Sequence, residues 1–142
     1  MLSQRNAHPA IPESSSFRAS NELILATMPT PCRGLQPVIR FAVNNQGKRL
    51  RSRLLTLSAL TLTPRTEHLV EAATLVELLH NGTLLHDDVM DRARVRRHRP
   101  TVNRLWGDPV AILAGDFLLA AVMDLALRTG LDSVSRLAVD TL

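Results

Sequence analysis

The chain is poor in aromatic residues and in cysteine, and both shortages exclude classes of protein. Aromatic residues make up 3% of the 142 residues, tyrosine is absent and tryptophan occurs once. A basic module that stacks nucleic-acid bases needs more aromatic side chains than this, so nucleic acid is not an expected partner. The single cysteine, Cys32, excludes an internal disulfide framework.

Lysine is also nearly absent, since Lys48 is the single lysine and 16 of the 17 basic residues are therefore arginine. Arginine forks match pairs of phosphate oxygens, and the net charge of +4 agrees with an anionic partner. The longest apolar run, residues 117–123, lies between Asp116 and Asp124. We therefore expect no transmembrane segment.

The hydrophobic pattern predicts an all-α fold. Hydrophobic residues make up 45% of the chain, leucine and alanine favour helix, and no strand alternation occurs. Residues 1–20 are rich in Ser, Pro and Asn and predict a loose arm without a secretory signal, so we expect a cytoplasmic protein. Helix patterns cover residues 21–27, 36–45, 48–62, 66–91, 108–128 and 132 onward, with a loop at 92–104.

The predicted helix at 66–91 begins apolar and ends acidic. We expect one face of it to consist of Leu69, Ala72, Ala73, Val76, Leu79, His80, Thr83, Leu84, Asp87 and Asp91. Asp87 and Asp91 are four residues apart, which places their carboxylates about 5–6 Å apart on a helix. Such a pair repels unless a cation bridges it, and Mg²⁺ prefers oxygen ligands. The pattern predicts a magnesium site, with Asp88 assisting from a quarter-turn away; the alternative is a solvated acidic helix end.

An arginine-dense segment follows the acidic cluster directly. It contains Arg92, Arg94, Arg96, Arg97, Arg99 and Arg104. Carboxylates that hold a metal, next to guanidinium groups, form a site for a metal-bridged polyanion such as a diphosphate. The alternative, an ordinary solvated basic loop, does not explain why the acidic residues immediately precede it.

Four blocks of sequence resemble those of the polyprenyl (trans-isoprenyl) diphosphate synthases. They are His-Asn-Gly-Thr-Leu-Leu-His-Asp-Asp-Val-Met-Asp at 80–91 with the arginine pair at 96–97, Gly-Lys-Arg-Leu-Arg at 47–51, Leu-Trp-Gly-Asp at 105–108 and Leu-Ala-Gly-Asp-Phe-Leu-Leu at 113–119. The resemblance covers roughly residues 36–142. It implies the N-terminal half of a helical bundle of the isoprenoid synthase type, truncated, with residues 21–142 as the domain.

The resemblance also implies residue roles. Asp87 and Asp91, with Asp88 assisting, would bind the Mg²⁺ that bridges an allylic diphosphate, and Arg96 would contact that diphosphate. The diphosphate of isopentenyl diphosphate would be bound by Lys48, Arg51, His80 and Arg97. The implied reaction is ionisation of the allylic C–O bond followed by attack of the isopentenyl double bond, catalysed through Asp87, Asp88, Asp91 and Arg96.

Product length is implied by the residues five and four positions before Asp87. In the resembled family, bulky side chains at these positions form a floor that stops the growing prenyl chain. Gly82 and Thr83 are small, so we expect an open channel and a long-chain product of the kind used in quinone side chains. The alternative is that Gly82 allows close packing of a neighbouring helix.

The sequence departs from the family pattern in several places. Gln46 replaces a glycine, Ser52 stands where the family usually has proline, and His98 replaces the glycine after the arginine pair. No second Asp-Asp-x-x-Asp follows Asp91, so we interpret the chain as an incomplete copy of a larger synthase. Apolar faces left partly open, such as that of Phe117, Leu118 and Val122, favour a homodimer or heterodimer.

Two other functions fit parts of the sequence. One is a non-catalytic subunit that binds prenyl diphosphate or pairs with a complete synthase. The other is a metal-dependent phosphohydrolase of the His-Asp type, in which His86 and Asp87 would act with His68 and His80 as further ligands. The second alternative requires neither the arginine pair nor the Gly-Lys-Arg turn.

Overall fold

The computed structural model describes residues 30–44, 49–62 and 68–130. Its elements are a 3₁₀ helix (Thr30–Leu35), α1 (Gln36–Asn44), α2 (Leu50–Leu62), α3 (Leu69–Met90), β1 (Val95–Arg96), β2 (Arg99–Pro100), α4 (Val102–Trp106) and α5 (Asp108–Thr129). The predicted all-α class is confirmed, with one two-stranded hairpin as an addition. The arm at 1–20, the helices predicted at 21–27 and from 132, Gln46 and Lys48 lie outside the described residues.

The core forms chiefly between α3 and α5, with α1, α2 and α4 packed around this pair. The buried hydrophobic positions are aliphatic, as expected for a chain with few aromatic residues, and the hydroxyl side chains of Ser52, Thr56 and Thr74 are buried as well. The core cluster comprises Val38, Ile39, Val43, Leu75, Leu78, Leu85, Val102, Ala111, Ala114, Leu118, Val122 and Ala126. Alanine and glycine on α5 allow its backbone to approach α3 closely, which fixes the acidic end of α3 against a rigid neighbour.

The face of α3 that enters the core differs from the predicted one. The buried residues of α3 include Leu75, Leu78, Leu85 and Asp88. Several residues of the predicted face are only half-buried. Because α3 is apolar around most of its circumference, the spacing of its leucines fits more than one face. The consequence is that Asp88, rather than Asp87, points inward.

The segment predicted as a loop contains a tight hairpin and a short helix. The two strands are antiparallel, with Val95 opposite Pro100 and Arg96 opposite Arg99. The two residues between them, Arg97 and His98, have φ of 52° and 63°. This is the left-handed conformation of a two-residue hairpin turn, which favours glycine, so His98 adopts the backbone of the glycine it replaces.

Helix α5 begins at Asp108, where the predicted helix pattern starts. Gly107, with φ of 87°, precedes the helix. This φ is costly for other residues, whereas Pro109 suits the first turn of a helix. The helix ends at Thr129, before Gly130.

By length and composition α5 is apolar enough to cross a membrane. The apolar run at residues 117–123 did not indicate this property, because Asp116 and Asp124 flank it. The same composition suits a core helix, and α5 buries one face against α3. The absence of a transmembrane segment stays a prediction.

Candidate functional site

The acidic end of α3 presents two carboxylates to solvent. The helix ends at Met90, but Asp91 keeps a helical backbone (φ −80°, ψ −4°) and donates its N–H to the carbonyl oxygen of Asp87 at 2.8 Å. The side chains of Asp87 and Asp91 are exposed. Among the described residues, neither forms an ion pair within 4.0 Å. The predicted pair therefore stands one helical turn apart and open to a cation.

Asp88 differs from its two neighbours because it is buried. Its Oδ1 accepts a hydrogen bond from Nε of Arg96 at 2.7 Å, and its residue is 5% exposed. Its carbonyl oxygen accepts from Asn103 Nδ2 at 3.0 Å and from the N–H of Ala93 at 2.9 Å. The assisting role at the metal that the sequence indicates for Asp88 stays a prediction. In the structure the residue fixes the hairpin and α4 to the end of α3.

The donor set fits a cation that binds together with a diphosphate. Within residues 30–44, 49–62 and 68–130, no group of three or more His, Cys, Asp or Glu side chains is arranged to hold a metal ion. Asp87 and Asp91 supply two carboxylates, and Mg²⁺ commonly completes its octahedron with water and substrate phosphates. The geometry therefore suits a metal held jointly by protein and ligand, not a preformed cage.

The phosphohydrolase alternative loses its support in the same region. His86 points across to α5, where its Nε2 lies 3.3 Å from Asp116 Oδ1 and 3.3 Å from the carbonyl oxygen of Ile112. A Cβ on Gly115 would lie only 2.4 Å from that nitrogen. The glycine of the Leu-Ala-Gly-Asp block thus makes room for the imidazole ring. His86 therefore joins the two core helices beside Asp87.

His80 of α3 is in contact with Arg51 of α2. Nη1 of Arg51 lies 3.0 Å from Nε2 of His80, so a neutral imidazole accepts this hydrogen bond. Burial lowers the pKa of His80 below its ordinary value, the charge of Arg51 lowers it further, and Arg97 and Arg96 act in the same direction against an opposing effect of Glu77. The histidine is therefore neutral at pH 7 among several arginines.

A cavity of about 290 Å³ opens between α1, α3 and the hairpin. This volume is at the lower end of the range of ligand pockets, roughly 300–1,000 Å³. Its polar lining residues are Asn44, Asn81, Asp88, Arg96, Arg97, Arg99 and Thr101. Its apolar lining residues are Phe41, Ala42, Leu84, Leu85, Pro100 and Val102. The combination of guanidinium groups with a short apolar wall suits a small anion that carries a hydrocarbon tail.

The structure brings together some of the predicted residues for the isopentenyl diphosphate site. Arg97 lines the cavity, whereas the paired Arg51 and His80 lie beside its lining, close enough for the charge of Arg97 to act on the imidazole. Lys48 lies outside the described residues. Arg96 lines the cavity as well as holding Asp88, so it borders both predicted diphosphate positions.

Sequence reasoning missed the remaining walls of the cavity. Phe41 and Asn44 come from α1, which is far away in sequence, and only the fold brings them to the hairpin. Asn81 directly follows His80 in the predicted motif. Its amide next to a predicted substrate-binding residue was the available signal.

The two predicted chain-length residues have different surroundings. Gly82 is buried against α5, where an added Cβ would lie 3.1 Å from Leu119 Cδ2 and 3.3 Å from the carbonyl oxygen of Gly115. This supports the close-packing alternative for Gly82, while the open channel stays a prediction. Thr83 is half-buried and its hydroxyl donates to the carbonyl oxygen of His80 at 2.9 Å, so Thr83 keeps its candidate role.

Ser52 has a structural reason to differ from the proline of the family pattern. Its N–H donates to Oε1 of the buried Glu77 at 3.1 Å, and its hydroxyl donates to the carbonyl oxygen of Arg49 at 3.0 Å. Proline has no N–H and would leave the carboxylate of Glu77 without this donor. Ser52 therefore connects the start of α2 to the middle of α3.

Comparisons with known proteins agree with these features. Residues 33–141 match the polyprenyl synthetase family. The chain is 46% identical over 99 residues to the nonaprenyl diphosphate synthase of Mycobacterium tuberculosis, covering 69% of this chain and 29% of that protein. It is 41% identical over 107 residues to the geranylgeranyl diphosphate synthase of Methanosarcina mazei, covering 75% and 32%.

Solved structures share the fold. A decaprenyl diphosphate synthase from Rhodobacter capsulatus superposes with a TM-score of 0.77 at 34% identity, covering 89% of this chain and 39% of that one. A polyprenyl synthase from Caulobacter crescentus, complexed with calcium and isoprenyl diphosphate, gives a TM-score of 0.74 at 29% identity, covering 87% and 39%.

The helical fold is that of the isoprenoid synthases. Within this class, the chain belongs to the polyprenyl synthetase family. It spans about a third of the length of the curated relatives that it matches.

Proposed function

We propose that this chain forms the first half of the active site of a trans-prenyltransferase, which condenses isopentenyl diphosphate with an allylic diphosphate. The observation that carries the proposal is the placement of two different anion-binding features around one hairpin. A cavity lined by Arg96, Arg97 and Arg99 lies on one side. The open carboxylates of Asp87 and Asp91 stand beside it and are not part of its lining.

Isopentenyl diphosphate would occupy the cavity. Its diphosphate would accept hydrogen bonds from Arg97 and Arg99, whose guanidinium groups match phosphate oxygens in pairs. Its five-carbon tail would lie against Phe41 and Leu84, which belong to the apolar lining. Arg51, with neutral His80 as its acceptor, would add positive charge at the edge of this site.

The allylic diphosphate would bind at the acidic end of α3. Asp87 and Asp91 would hold Mg²⁺, which when bound neutralises the charge that develops on the diphosphate leaving group. Arg96 donates a hydrogen bond from Nε to Asp88, and its two terminal NH₂ groups would donate to a phosphate oxygen. This hydrogen bond to Asp88 orients the guanidinium before the ligand arrives, which lowers the cost of reorganisation during the reaction.

We also propose a long-chain product, a cytoplasmic location and a dimer. The product length is supported by the nonaprenyl and decaprenyl synthases among the relatives and by the small side chain of Thr83. Geranylgeranyl and farnesyl diphosphate synthases are relatives too, so product analysis has to decide. The exposed leucines of α2, Leu50, Leu54 and Leu57, offer apolar surface for a partner.

Calorimetry on the full chain tests the proposal. An allylic diphosphate should bind in Mg²⁺ and lose at least tenfold in affinity in EDTA, because the acidic pair repels an unneutralised diphosphate. Asp87→Asn should remove this metal dependence. Asp124→Asn makes an equal change of charge on α5 and should leave the Mg²⁺ dependence of binding intact. Equal affinity in Mg²⁺ and EDTA would refute the proposed role of the acidic pair.

A further inference from the structure

One polar group in the cavity wall lacks a hydrogen-bond partner. Asn81 lines the cavity from α3, and its amide nitrogen Nδ2 is buried and has no acceptor among residues 30–44, 49–62 and 68–130. The neighbouring polar groups differ in this respect, since Arg96 is bound to Asp88 and His80 is bound to Arg51. The amide is therefore an unsatisfied donor at the edge of a cation-lined space.

An unsatisfied buried amide is destabilising, because the group loses water without gaining a protein acceptor. Such groups are rare in folded proteins, and each one calls for a physical explanation. Helix stability does not supply it, because asparagine is a mediocre helix former in the interior of α3. Leucine has nearly the same size and shape and would fill the position without a polar group.

We propose that Asn81 is a further substrate-binding residue, whose amide nitrogen donates a hydrogen bond to a diphosphate oxygen of the ligand in this cavity. The inference rests on the proposed function, since it assigns a new donor to the same site. The ligand recognised is a diphosphate that lacks bound metal, because the lining contains Arg96, Arg97 and Arg99 but neither Asp87 nor Asp91.

The amide complements the arginines in a specific way. Guanidinium groups attract a diphosphate over long distances, whereas a short amide on a helix reaches only a ligand that lies next to it. The terminal torsion of asparagine is broad, so the amide turns toward such a ligand at little cost. Asn44 of α1 lines the same cavity, so its amide would be a second donor to the diphosphate.

Calorimetry on the full chain, in EDTA, tests the inference with isopentenyl diphosphate and inorganic pyrophosphate as separate ligands. Asn81→Leu should weaken both affinities roughly tenfold, the loss expected for a hydrogen bond to a charged group. Asn81→Asp should weaken them further, because a carboxylate repels the diphosphate. Thr74→Val is the matched control, because it exchanges a polar for an apolar group on α3 and the hydroxyl of Thr74 donates within its own helix, to the carbonyl oxygen of Val70.

The stability of the same variants separates the possible outcomes. Asn81→Leu should unfold, without ligand, at the same temperature as the parent or higher, because it removes an unsatisfied donor. Weaker binding with equal or higher stability supports the inference. Unchanged affinity with higher stability would overturn it and show that the amide is merely unsatisfied, while the proposed function would stand. Absence of binding by the parent chain would overturn both.

Discussion

Two arginine–aspartate pairs in this chain have nearly the same bond length and very different surroundings. Arg96 and Asp88 are joined at 2.7 Å with side chains 39% and 8% exposed. Arg128 and Asp124 are joined at 2.8 Å with side chains 65% and 57% exposed. The second pair is therefore an internal control for the first.

The two pairs should contribute different coupling energies. A net hydrogen bond to a charged group contributes about 1.5–3 kcal/mol, and the partial exposure of Arg96 reduces this to about 1–2 kcal/mol. The exposed pair on α5 is spaced i,i+4 and should contribute about 0.3–0.5 kcal/mol. Urea unfolding of alanine variants measures both coupling energies in two double-mutant cycles. One cycle covers Asp88 and Arg96, and the other covers Asp124 and Arg128.

Measuring the coupling energy of Asp88 and Arg96 with and without Mg²⁺ tests the role of Asp88. If Asp88 anchors Arg96, millimolar Mg²⁺ should leave the coupling energy unchanged. If Asp88 were a metal ligand, Mg²⁺ would compete with Arg96 and lower the coupling. A coupling at Asp88 and Arg96 no larger than that of the control pair would refute our interpretation that the buried aspartate anchors the hairpin.

Three further outcomes are expected. Gly82→Phe should destabilise the chain by about 3 kcal/mol because α5 leaves no room for a ring, and Thr83→Phe should cost much less; thermal unfolding compares them. His98→Gly should stabilise by about 1 kcal/mol in urea, since the left-handed turn strains a side chain. NMR titration should give His80 a pKa below 6.5, and this pKa should rise in Arg51→Ala. Because the pKa of His80 is lower in the folded state than in the unfolded state, the free energy of unfolding should fall as the pH drops below about 6.5.

The helices and the acidic motif were predictable from sequence because both depend on short spacings. Proline and glycine marked the helix ends, and the i,i+4 spacing of Asp87 and Asp91 places both carboxylates on one turn whatever the tertiary contacts. The same local spacing did not indicate that Asp88 is buried, because the direction of a side chain depends on which face of α3 meets α5. On a helix apolar on most sides, that face is chosen by packing.

The cavity was not predictable for a related reason. Its walls come from α1, α3 and the hairpin, and no local spacing connects Phe41 with Asn81 or Arg99. Gly82 shows the same limit, since a small residue favours both an open channel and close helix packing. The position of α5 supports close packing.

The most direct test of the central claim is whether the two diphosphates bind at the same time and in different places. The full chain would first be saturated with isopentenyl diphosphate in EDTA, and then titrated with an allylic thiodiphosphate, whose C–S bond resists ionisation, after Mg²⁺ is added. We predict that one equivalent of the allylic ligand binds without displacing isopentenyl diphosphate. Asp87→Asn should weaken the binding of the allylic ligand alone, and Arg97→Ala should weaken the binding of isopentenyl diphosphate. Displacement of one ligand by the other, or loss of both steps in either variant, would contradict an account based on two separate anion sites around one hairpin.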